Sequence, residues 1–104
     1  MTDGPSSEVL RVVATIPITA EGVAAAGAAL AALAAASERD EEGCVGYEVF
    51  ESTSAPGTFV TIEAWRSVDD MNAHMSTPHV AEAFGVLGPL LAGELGLHTL
   101  KPLA

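Results

Sequence analysis

Three observations predict an α+β fold of ferredoxin-like type, β-α-β-β-α-β with an antiparallel sheet. Apolar side chains recur at period two and then at helical spacing, alternating in that order along the chain. The run Thr53-Ser54-Ala55-Pro56-Gly57 is turn chemistry between two adjoining period-two segments, which makes them a hairpin. A length of 104 residues fits one domain with a thin core.

The elements follow in chain order. Residues 1–7, MTDGPSS, read as a disordered leader, and residues 8–104 as the single domain. From Glu8 to Ile16, Leu10, Val12, Ala14 and Ile16 share one strand face, and Pro17 closes the strand. Thr19 caps a helix with Glu21 in its first turn, and Val23, Leu30, Leu33 and Ser37 mark its inner stripe. Gly27 lies on that side, allows close approach to a sheet, and interrupts an apolar segment too short to span a bilayer. The polar run Ser37–Glu42 reads as a solvated helix end, with Gly43 free to take a positive φ. The second strand runs from Cys44 to Ser52, with Val45, Tyr47 and Val49 on one face and Phe50 on the other.

The stretch from Phe59 to Phe84 gathers most of the potential chemistry. Phe59, Thr61, Glu63 and Trp65 alternate on one strand face. Ser67 then caps a helix with Asp69 and Asp70 in its first turn, and Met71, His74 and Met75 recur at helical spacing. Thr77-Pro78 is a second start signal, followed by the stripe Val80, Phe84, Leu87 and Leu91. After Gly88-Pro89, Glu94 to Leu100 reads as a last strand, with Leu95, Leu97 and Thr99 opposite His98. Both helical segments belong on one sheet face, so the other apolar face needs cover, and a second copy of the chain is the expected cover.

Charge and cysteine usage narrow the partners. Fourteen acidic against four basic side chains give a net charge of −10, which excludes the clustered cations that nucleic acid or an anionic membrane requires. One cysteine, Cys44, forms no internal disulfide and fits a reducing cytoplasm. No secretory signal precedes the domain, and neither a dinucleotide-binding nor a nucleotide-phosphate glycine motif occurs.

His74 and His79 are the candidate acid–base groups, because histidine alone titrates near neutrality unperturbed. Trp65 offers a flat face to stack on a planar ligand, or a core ring. Glu63, on the same face, needs partners and could orient a histidine or make a purely structural hydrogen bond. Tyr47 could donate to a substrate oxygen or simply pack. The proline between the two histidines argues against a shared metal-binding face, so no metal is expected.

Glu42-Gly43-Cys44, Tyr47, Glu63-x-Trp65, His74 and Ser76-x-x-His79 together resemble the antibiotic biosynthesis monooxygenase (ABM) superfamily, in its quinol-monooxygenase-like branch. The resemblance runs from about Glu8 to Leu100. It implies a dimeric α/β barrel and a cofactor-independent oxygenase acting with O2 on a quinol or polycyclic aromatic substrate. It also implies a histidine base, His74 or His79, and a site wall containing Trp65 with Tyr47 or Glu63 orienting the substrate. Haem-degrading members use an asparagine in the first strand, and none lies between Glu8 and Ile16. Two other functions stay open: an isomerase or other acid–base enzyme on a small polar ligand, and a non-catalytic dimeric ligand-binding or stress-associated module.

Overall fold

The computed structural model describes residues 9–103. The leader expected over residues 1–7 and the strand start at Glu8 lie outside the described residues. Among the described residues, four strands form one antiparallel sheet in the order β2-β3-β1-β4: β1 is Leu10–Pro17, β2 Cys44–Glu51, β3 Thr58–Trp65 and β4 Gly96–Leu100. Three helices accompany it, α1 (Val23–Asp40), α2 (Val68–His74) and α3 (Pro78–Leu87). This is the ferredoxin-like α+β fold, with its second helix divided in two by the turn at residues 75–77.

Strand register sets which side chains meet. Val12, Ala14 and Ile16 of β1 are buried on the helix side, opposite Glu63, Thr61 and Phe59 of β3. On β2 the pairing shifts between Cys44 and Gly46, so Cys44 stands opposite Trp65 and Tyr47 opposite Glu63. The extra residue of that bulge is Val45, which is exposed. Val45 therefore does not share the Tyr47–Val49 face, as strict alternation predicted. Cys44 takes its place beside the core.

Helix α1 ends within the predicted polar run, at Asp40, but differs from its predicted form at the start. The chain enters it through a 3₁₀ turn, Ala20–Gly22, and the Thr19 side chain makes no cap bond. Instead the Thr19 backbone N–H donates to the Leu90 carbonyl at 2.9 Å, tying this entry to the turn after α3. Gly27 does not interrupt the helix. The segment Ala20–Asp40 is continuous over 21 residues and contains an 18-residue window of mean hydropathy 1.5, long and apolar enough to cross a membrane by length and composition. Here its apolar side has another use: Ala26, Leu30, Leu33, Ala36 and Ser37 are buried in the domain. Each leucine so placed contributes roughly 1.5–3 kcal/mol of burial. A Cβ at Gly27 would stand 3.6 Å from the Phe59 ring, an ordinary contact, so that approach does not itself demand glycine.

The predicted caps of α2 and α3 are present. Ser67 Oγ accepts from the Asp70 N–H at 3.1 Å, and Thr77 Oγ1 accepts from the Val80 N–H at 3.4 Å, with Pro78 in the first turn. Among the described residues, no helix packs on the far sheet face. On it the apolar side chains Phe50, Ile62 and Leu100 are 49%, 44% and 46% exposed.

Candidate active site

A cavity of about 80 Å³ lies between the sheet and the helices. Val12, Ala14, Leu30, Leu33 and Leu87 supply much of its apolar wall, while Met75, Phe84 and Leu97, all partly exposed, stand at its rim. Four polar side chains face it: Tyr47, Thr61, Glu63 and His74. An apolar slot with a few convergent polar groups is the usual form of a small-molecule site.

Each polar group is held by its neighbours. Glu63 is buried and accepts from Thr61 Oγ1 at 2.7 Å and from Trp65 Nε1 at 2.9 Å. Both donors sit two residues away on the same face of β3, so strand parity alone assembles this group. Glu63 thus meets the need of a buried carboxylate for partners, and it hydrogen-bonds neither histidine. The Tyr47 hydroxyl faces it. Burial first, and then the charge of Glu63, push the Tyr47 pKa far above the ordinary tyrosine value, so the phenol keeps its proton and acts as a donor.

Trp65 is fully buried and does not line the cavity. Its ring lies behind the wall, 4.6 Å from the His74 ring and 6.3 Å from Tyr47 in an edge-on arrangement. Trp65 therefore backs the polar groups rather than presenting the stacking face expected of a slot wall. The expectation rested on the correct strand face, and Thr61 and Glu63 of that face do line the cavity, whereas Trp65 at its end packs against the His74 and Tyr47 rings instead.

The two histidines converge despite the proline between them. His74 ends α2, His79 is the second residue of α3, and Thr77 Oγ1 donates to the His74 carbonyl at 2.7 Å across the turn. His74 Nδ1 and His79 Nε2 each lie 2.6 Å from the same oxygen, Glu41 Oε2. Glu41 is the C-cap of α1, fixed by its N–H to the Ser37 carbonyl at 3.1 Å and by the Cys44 N–H on its own carbonyl at 3.0 Å. The polar run Ser37–Glu42 is therefore not wholly solvated, since the Glu41 side chain is only 11% exposed. Sequence reading missed this residue because its partners are 33 and 38 positions away. Its adjacency to the Glu42-Gly43-Cys44 motif was the available signal.

The donor atoms of Glu41, His74 and His79 all lie within 4.8 Å of one another, which raises the question of a metal. Tetrahedral zinc with ligand bonds near 2.0–2.1 Å needs its ligand atoms about 3.3 Å apart. Contacts of 2.6 Å are instead charge-assisted hydrogen bonds. The histidines face different spaces: His74 is buried at the cavity, and His79 lines an outer groove with Arg39 and Glu82. Cys44 beside them is no nucleophile at neutral pH, because burial and then the nearby carboxylates push its thiol up to about 11.

An antiparallel ferredoxin-like sheet with a histidine-bearing apolar cavity under its helices defines a class of small α+β domain built around a ligand slot. The sequence model of the antibiotic biosynthesis monooxygenase family matches residues 9–85, and the chain belongs to that family. The chain is 37% identical over 71 residues to "Probable quinol monooxygenase YgiN" of Escherichia coli (strain K12), covering 60% of this chain. That match spans 66% of the relative's length, just under two thirds. Among solved structures, a candidate antibiotic biosynthesis monooxygenase of Deinococcus radiodurans aligns with TM-score 0.80 and 30% identity, covering 89% of this chain and 91% of that one. Another candidate, from Caulobacter crescentus, aligns with TM-score 0.86 and 26% identity, covering 92% and 91%.

Proposed function

We propose that this protein is a cofactor-independent monooxygenase that oxidises a hydroquinone or a related polycyclic phenol with O2. The observation that carries this reading is His74 placed at the polar end of an otherwise apolar cavity, next to a tyrosine that stays protonated. The E. coli relative's name supplies the substrate class.

In this chemistry the substrate provides the electrons. His74 Nε2 takes the phenolic proton, and the electron-rich phenolate gives its electrons to O2 as a ring carbon–oxygen bond forms. The resulting hydroperoxide loses water, so hydroquinone and O2 become hydroxyquinone and water. Tyr47 donates a hydrogen bond to the charged oxygen, and Thr61 and Glu63 hold the polar end in shape. The apolar walls keep water from the anion. His79 does not line the cavity and is the weaker candidate for the base.

A homodimer completes the proposal. Phe50, Ile62 and Leu100 form an exposed apolar face on the side of the sheet without helices, and a second copy meeting it would close a barrel. The free thiol of Cys44 suits a reducing cytoplasm. Oxygen uptake with a naphthohydroquinone is the test. Wild-type protein should exceed autoxidation clearly, and His74→Gln should lose about 10²–10⁴-fold in kcat. Uptake no faster than the protein-free control would refute the oxygenase.

A further inference from the structure

In the oxygenase reaction only Nε2 of His74 takes the proton, and its other nitrogen, Glu41 and the far histidine have no part in that step. We propose that Glu41 is the positioning residue of His74, and that His79 holds Glu41 in place; this rests on the oxygenase reading of the same cavity.

A carboxylate has no proton to give, so the two nitrogens at 2.6 Å from Glu41 Oε2 are both donors. That assigns the proton of neutral His74 to Nδ1. The assignment leaves Nε2 bare, and a bare nitrogen is what a base needs. Without Glu41 the ring is free to carry its proton on Nε2 instead, and in that form it accepts nothing from a substrate. Glu41 has a second effect. Once Nε2 takes the phenolic proton, the ring is an imidazolium 2.6 Å from a carboxylate in a site where His74 is 4% exposed. At that depth the pairing favours the charged product of the proton transfer.

His79 anchors the carboxylate by the same oxygen. Glu41 sits at the end of a helix with its backbone fixed, but a lone glutamate side chain there has several rotamers to choose from. The Nε2–H of His79 removes that freedom. The Thr77 hydroxyl on the His74 carbonyl fixes the start of the helix that carries His79, so the contacts form a closed circuit. No proton has to leave through this circuit. In the balanced reaction the proton taken from the hydroquinone returns to the oxygen that leaves as water, all within the cavity. Positioning is therefore a sufficient role for Glu41 and His79, although His79 borders the outer groove.

Two measurements on the full chain test this. Long-range ¹H–¹⁵N correlation of the imidazole rings in the wild type should show His74 as the Nδ1–H tautomer and His79 as the Nε2–H tautomer. This readout needs neither a variant nor turnover. In steady-state oxygen uptake, Glu41→Gln should lower kcat by about 10²–10³-fold while KM for the hydroquinone moves less than about threefold, because the loss is made in the transition state. His79→Ala should lower kcat several-fold by the same route. A His74 ring protonated on Nε2 in the wild type would overturn the proposal. So would a Glu41→Gln protein, folded by its melting curve, that keeps kcat within about twofold. Stoichiometric zinc bound by the wild type and lost in Glu41→Gln would also overturn it, replacing the hydrogen-bonded circuit with a metal site. If the wild type consumes no oxygen with hydroquinones, the oxygenase falls by itself. The tautomer of His74 then still decides whether Glu41 holds a base at the cavity.

Discussion

Replacing Trp65 with phenylalanine separates a structural role from a ligand-stacking one. The indole is fully buried, and its Nε1–H is one of two donors to the buried carboxylate of Glu63. Losing a hydrogen bond to a charged group costs about 1.5–3 kcal/mol. The smaller ring leaves a void costing on the order of 1 kcal/mol. The sum, about 2.5–4 kcal/mol, is a large share of the roughly 5–15 kcal/mol of a small domain. For a chain of this size it should lower Tm by at least about 10 °C. Urea unfolding at one fixed protein concentration measures it, since the stability of the proposed dimer would depend on concentration. A double-mutant cycle with Glu63→Gln identifies the cause: with the charge gone, Trp65→Phe should cost at least about 1 kcal/mol less. The KM for the hydroquinone should stay within about threefold, as Trp65 does not line the cavity. A Trp65→Phe protein destabilised by less than about 1 kcal/mol, with costs that simply add to those of Glu63→Gln, would refute this account.

Three further outcomes follow from the structure. If the proposed homodimer forms on the exposed sheet face, Ile62→Asp or Phe50→Asp should shift sedimentation from dimer to monomer at micromolar concentration, and an unshifted dimer would place the interface elsewhere. With the Cys44 thiol pushed up to about 11, about one molecule in a thousand carries thiolate at pH 8, so iodoacetamide should label native protein far more slowly than urea-unfolded protein. The sign for stability follows: the folded state holds this proton to higher pH than the unfolded chain, so the contribution is complete below about pH 8.5 and is lost as pH rises towards 11. Gly43→Ala should destabilise by about 1–3 kcal/mol in thermal melts, because its Cβ would overlap the side chain of Asp70. Asp70 in turn binds Arg66 and Ser67 at the start of α2, so a tolerated Gly43→Ala would contradict the packing described.

Local patterns determined most of the fold. Alternation placed Phe59, Thr61, Glu63 and Trp65 on one face, and the structure puts all four on the helix side, because a strand's period of two is set by its own backbone. The caps at Ser67 and Thr77 were legible for the same reason: their partners are three residues away. Where a tertiary contact intervened, local reading failed. The bulge at Val45 arises in pairing with β3, so alternation within β2 could not locate it. As a glycine after the helix end, Gly43 is able to take a positive φ, but among the described residues only Gly57 has one, at 90°. What Gly43 supplies is room for Asp70, a residue 27 positions on that meets it only in the folded chain.

The candidate site divides along the same line. Composition and spacing singled out Tyr47, Glu63, Trp65, His74 and His79, since few side chains in this alanine-rich chain carry chemistry at all. Their relations came from packing. Trp65 and His79 lie behind or beyond the cavity, while Tyr47, Glu63 and His74 face it. Glu41, within an acidic run that looks like any solvated helix end, becomes the shared partner of both histidines only when three segments meet. A sequence thus determined which residues were available here, because residue type and period are local properties. Which of them touch was decided by the tertiary structure, because a hydrogen bond of 2.6 Å between positions 33 or 38 apart depends on the whole chain between them.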